Sequence, residues 1–176
     1  SSAQSAMDTT AAGDLWDNGL GMTAIAASAT GDNGLFYTLP AMVDGVAITA
    51  SLQPGVAGTE TTTAFGLAYT GVEGLTLKYG QGDGGTRALP TDVTSMSASY
   101  AIGSFTLSAS NTEADKTNAA NEEVDSFQLA YTVSDSVSIT YGEETYDTAT
   151  AATDEEVEGY GVSYTSGGMT VSANAY

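Results

Sequence analysis

Almost every side chain in this sequence that could do chemistry is a carboxylate. Its 22 Asp and Glu stand against three basic residues, Lys78, Arg87 and Lys116. There is no His, which removes the commonest general base and the commonest imidazole metal ligand. There is no Cys, hence no disulfide framework and no thiolate. A pair of carboxylates can hydrolyse a glycoside, but spacing singles out no two of them. "GQGDGG" (80–85) has the look of a phosphate-cradling loop. No strand–loop–helix context follows it, so it reads as a flexible loop. "NEEVD" (121–125) and "DEEVE" (154–158) offer oxygen ligands that suit Ca2+. They lack a spaced calcium-loop pattern, so they read as solvated acidic loops holding Ca2+ weakly at most. No enzyme and no resident cofactor is expected. A formal charge of -19 argues against nucleic acid, which needs Lys and Arg on its phosphates, and against a basic membrane anchor.

The elements that carry these carboxylates are strands. From residue 34 onward Thr, Val, Tyr and Ser alternate with apolar residues, and Gly sits at segment ends. Alternation and turn residues predict about ten strands, near 34–39, 45–53, 61–70, 74–81, 93–101, 104–111, 124–132, 136–144, 157–165 and 168–176. A hairpin unit recurs along them. Its first strand closes on Tyr69, Tyr100, Tyr131 and Tyr164, spaced 31, 31 and 33 residues apart. Short connections ("TGVEG", "AIGS", "VSDS", "TSGG") alternate with long ones, expected over 81–92, 111–123 and 143–156. In an up-and-down meander the short ones then lie on one side and the long ones on the other.

Each strand has an apolar and a polar face. Leu75, Leu77 and Tyr79 oppose Thr76 and Lys78; Phe127, Leu129 and Tyr131 oppose Gln128; Val137, Ile139 and Tyr141 oppose Ser138. The polar face is nearly all Ser, Thr, Gln and Gly, and charge gathers toward the long connections. A soluble protein would carry Lys and Glu freely on an exposed strand face. A transmembrane β-barrel inverts the arrangement, with apolar residues toward lipid and small polar ones toward a water-filled lumen. Lys78, Ser97, Gln128 and Ser138 are then lumen residues. Tyr69, Tyr100, Tyr131 and Tyr164 form an aromatic girdle at headgroup level. Carboxylates at the long-loop mouth predict a mild cation preference. A secreted, acidic, β-rich structural or adhesive surface protein is the alternative, and solubility in buffer separates the two. A small closed barrel of about ten strands is a third option.

"GDNGLFYTLPAMVDGVAITASL" (31–52) and "FGLAYTGVEGLTLKYG" (65–80) resemble the general bacterial porins, above all the alphaproteobacterial type. The resemblance implies an antiparallel up-and-down barrel of 16 strands, about ten of them here. It implies a homotrimer in the outer membrane of a Gram-negative cell, in contact with lipid and lipopolysaccharide, passing small hydrophilic solutes and ions. It also implies that residues 1–33 are an inward-folded constriction loop and its lead-in, with Asp8, Asp14 and Asp17 at the narrowing. Residues 34–176 would be barrel strands with short periplasmic turns and long acidic extracellular loops. The basic wall that usually faces such acids is not in this sequence. Tyr176 has the opposite parity to Met169, Val171, Ala173 and Ala175, so it is a poor terminal strand signal. The polypeptide is therefore expected to extend beyond both ends.

Overall fold

A computed structural model describes residues 34–55, 60–86, 89–148 and 154–175. Asp8, Asp14, Asp17, Arg87 and Tyr176 lie outside the described residues. Ten strands follow in chain order: β1 (Leu35–Thr38), β2 (Val46–Gln53), β3 (Thr62–Tyr69), β4 (Leu75–Thr86), β5 (Leu89–Ile102), β6 (Phe105–Lys116), β7 (Glu122–Ser134), β8 (Val137–Thr148), β9 (Glu155–Ser166) and β10 (Met169–Ala175). They form one sheet in sequence order, each strand antiparallel to the next. This is the all-β, up-and-down meander that the alternation predicts. Among the described residues, β1 and β10 each pair on one side.

The strands reach further than expected at one end. Segments 81–92, 111–123 and 143–156 were expected as long loops, yet most of their residues are in register. Gly82 pairs with Val93 and Asp83 with Asp92; Glu113 pairs with Glu123, and Glu123 with Asp147. Gly and Asp are poor strand formers singly. Here each extension has an equally long partner, so the ladder continues to satisfy backbone donors and acceptors that a loop would leave to water.

The short turns are set by glycine. Gly45, Gly74 and Gly103 have φ of 75°, 77° and 59°, a region that costs other residues roughly 1–2 kcal/mol. At Gly74 the neighbouring strand adds a second constraint. Ala101 N–H donates to the Gly74 carbonyl at 2.8 Å, and a Cβ on Gly74 would lie 2.3 Å from the Ala101 oxygen. A Cβ on Gly103 would meet nothing within 4 Å. Gly74→Ala should therefore lower the denaturant midpoint of the detergent-folded protein more than Gly103→Ala does. Equal shifts would mean that backbone strain alone sets the cost.

Burial is inverted relative to a water-soluble protein. Ser95 is fully enclosed and Thr112 is 4% exposed, whereas Leu77, Leu107 and Ile139 are 40%, 46% and 43% exposed. All five lie within paired strands, and the pleat sends the two groups to opposite faces. The leucines stand on the outer face; the enclosed face is mostly hydroxyls, with Ala64, Val93, Ala114, Val124 and Tyr146 buried among them toward the acidic end.

Candidate functional site

The polar face can be assembled strand by strand from the register. Lys78 on β4 pairs with Ser97 on β5, then Ser110 on β6, Ser126 on β7 and Glu144 on β8. The next row toward the short turns runs Thr76, Ser99, Ser108, Gln128 and Gly142. Ser138 lies further down, between Thr132 and Ser163. Hydroxyls bond sideways across strands. Ser95 and Thr112 share a hydrogen at 2.8 Å, Ser108 donates to Ser99 at 2.9 Å, and Thr165 and Thr170 pair at 2.9 Å. Such a wall offers small neutral donors and acceptors. Its hydroxyls have no His to activate them.

Charge on this face is sparse and largely tied down. Ser126 donates to Glu144, which is only 2% exposed. Lys116 forms an ion pair with Glu122 where β6 ends and β7 begins. Lys78 makes no ion pair with another described residue. Alternation had counted Glu144 among loop acids. Its parity with Ser138, Thr140 and Gly142 marks it instead as a wall residue, once the strand is followed past 144 to Thr148.

The same parity sorts the other acids. Glu113, Asp115, Glu123, Asp125, Glu143, Asp147, Glu156 and Glu158 share the parity of the apolar residues of their strands. Only Glu122, Glu144 and Glu155 share that of the polar face. The expectation that the mouth acids as a group ring an entrance is thus corrected: most stand on the outer face, just beyond the apolar residues. In "NEEVD" Glu122 has the opposite parity to Glu123 and Asp125, yet at the strand ends Glu122 and Glu123 line one acidic pocket with Glu113, Asp115 and Asp147. Among the described residues no group of three or more acids converges on a point where a metal could sit.

On the outer face the four tyrosines fall on a line. Tyr69 is in the row of Leu77, Tyr100 in the row of Leu75, Tyr131 in the row of Phe105 and Tyr164 in the row of Val137. The line thus steps down two residues for every two strands. Two residues are about 6.8 Å along a strand, and two strand spacings about 9.6 Å. A level ring then requires a strand tilt of about 35°, within the range of closed membrane barrels. Measured from this line, Lys78, Ser97 and Gln128 lie two to three residues toward the far end of their strands, at one height. Ser138 lies level with the tyrosines. Phe105 stacks on Tyr131 with ring centroids 4.6 Å apart. Alternation did not single out a second line, about four residues along: Phe65, Tyr79, Phe127, Tyr141 and Tyr160. Tyr141 and Tyr160 are 5.2 Å apart, and Tyr141 donates toward Glu143 and Glu158 at 3.4 Å, where the apolar face gives way to acids. Four residues at this tilt span about 11 Å of the barrel axis, so the second line lies within an apolar band of about 25 Å; apolar and aromatic residues outside with hydroxyls within suit a wall between lipid and water.

Comparison with known proteins agrees with this geometry. A family model described as Gram-negative porin matches residues 1–175. A solved structure described as a porin refined at 1.8 Å resolution superposes with a TM-score of 0.68 at 18% identity, over 99% of this chain and 70% of that one. No curated protein matches in sequence.

Proposed function

The chain belongs to the Gram-negative porin family, and from that premise we propose that its polar face lines a water-filled, mildly cation-preferring passage for small hydrophilic solutes. The protein is an outer-membrane β-barrel porin, a channel of the bacterial outer membrane. The observation that carries the finer reading is the inverted burial, with hydroxyls enclosed and leucines outward. Lys78, Ser97 and Gln128 are proposed as lumen residues at one height, and Ser138 as a lumen residue nearer the short turns. Tyr69, Tyr100, Tyr131 and Tyr164 are proposed as the headgroup-level girdle of the leaflet on that side. Short turns would face the periplasm and the acidic ends the outside. Residues 1–33 are proposed as an inward-folded constriction loop and its lead-in, with Asp8, Asp14 and Asp17 at the narrowing.

A homotrimer, set in lipid and lipopolysaccharide, is the proposed assembly. No catalytic role and no resident cofactor is proposed, and Ca2+ would associate only weakly along the outward carboxylate rows. The test is reconstitution of the native protein, extracted in detergent, into a planar bilayer. Stepwise, ohmic conductance is expected, together with a heat-modifiable band on a denaturing gel. A chain that dissolves in buffer without detergent and leaves the bilayer silent would instead be the secreted structural protein.

A further inference from the structure

The outer face contains one place where large side chains are missing. Ala98 on β5 and Ala109 on β6 pair directly, between Leu77 on β4 and Phe127 on β7. Met96 and Asn111 lie one row toward the acidic end, and Tyr100 and Leu107 one row toward the short turns. The result is a furrow of about 430 Å3, floored by the alanines, walled by Leu77, Tyr79 and Met96, and closed at its acidic end by Asn111 and Asp125. Leu77, Met96 and Phe127 are 40%, 49% and 37% exposed, so no other described residue covers the furrow.

The furrow is amphipathic along its length. Its lower part is apolar and continuous with the lipid-facing residues. At its acidic end the Asn111 amide donates to Asp125, which lines the furrow, at 3.1 Å, and to Glu123, one row further out, at 2.7 Å. Each carboxylate has a second oxygen with which to accept a hydrogen bond. Lys78, Ser97 and Ser110 also border the furrow, but their parity is that of the polar face, as is that of Lys116, so the carboxylates are the charges with the parity of this side. We propose that the furrow over Ala98 and Ala109 holds one acyl chain of a lipid whose head carries a primary ammonium, bonded to Asp125 and Glu123. The acyl chain gains by covering exposed apolar surface, and the ammonium gains charge-assisted bonds at the level where the apolar band ends. At this furrow a second copy aligned in the same membrane would set its own acid-rich strand ends against Asp125 and Glu123. The site rests on the barrel lying in a bilayer, and its readout is separate from conductance.

Native mass spectrometry of the detergent-purified, full-length protein tests it, with added lipids of identical chains bearing ethanolamine, choline or glycerol heads. The ethanolamine lipid should be retained about tenfold better than the glycerol lipid, with the choline lipid, a cation without N–H donors, between them. Ala98→Phe with Ala109→Phe fills the furrow and should abolish retention of all three, with conductance unchanged because the pore lies on the other face. Ala109→Leu alone serves where the double variant fails to assemble. Asp125→Asn should keep the chain bound and erase the head preference. Equal retention by the filled variant, or a preference for the glycerol head, would overturn the site. A change of oligomeric state without change in lipid would show that a second copy occupies the furrow instead.

Discussion

Leu129→Arg should destabilise the folded barrel by roughly 2–4 kcal/mol, while Gln128→Arg, one residue away, should cost far less. Leu129 pairs with Leu107 and Tyr141 on the outer face, two residues from the tyrosine line and two from the second aromatic line. That places it within the apolar band, where a guanidinium has neither water nor a described carboxylate in its row. Gln128 sits beside Ser108 and Gly142 on the polar face. An Arg there has room over Gly142 and meets water. Ser97→Arg and Ser138→Arg should behave like Gln128→Arg, whereas Ser95, which is fully enclosed, should not accept the change. The measurement is the urea midpoint of folding into lipid vesicles, read by the gel shift of folded against unfolded protein. Equal losses on the two faces would refute the assignment of the outer face to lipid.

That contrast was legible in the sequence because a strand's period is two. Leu129 and Gln128 differ in face whatever the barrel's size or closure. The hairpin repeat was legible for the same reason, since four tyrosines in one position of a repeat need only a constant turn. What alternation did not show was where the strands stop. Gly84, Asp92 and Glu113 look like loop residues one at a time, and only a partner strand of matching length makes them ladder residues. The same blindness hid the sorting of the acids. Once Glu143 and Glu144 are in a strand rather than a loop, adjacent carboxylates belong to opposite sides of the wall. Strand tilt was hidden as well, because it follows from register between strands, which composition does not encode.

The sorting of the acids sharpens the expected ion selectivity. Replacing Asp8, Asp14 and Asp17 together by Asn should lower cation preference most, if those residues narrow the pore as proposed. Glu144→Gln should follow, since Glu144 is on the polar face and its Gln analogue can still accept from Ser126. Neutralising Glu113, Glu143 and Asp147 should do least, although three charges are removed. Those three stand on the far side of the wall, roughly 10 Å further from the water column. That is about one screening length at 0.1 M salt. The measurement is the reversal potential of single pores under a tenfold salt gradient, where perfect selectivity for a monovalent ion corresponds to about 59 mV. The wild-type potential should lie on the cation side at low salt and shrink toward zero near 1 M, where the screening length falls to about 3 Å. Equal effects of the outward and inward acids would mean that the two faces are not separated by the wall. Anion preference at low salt would mean instead that basic side chains outweigh these carboxylates at the narrowest point. Lys78 is the first to test there, because it is the described cation on the polar face that makes no ion pair with a described residue.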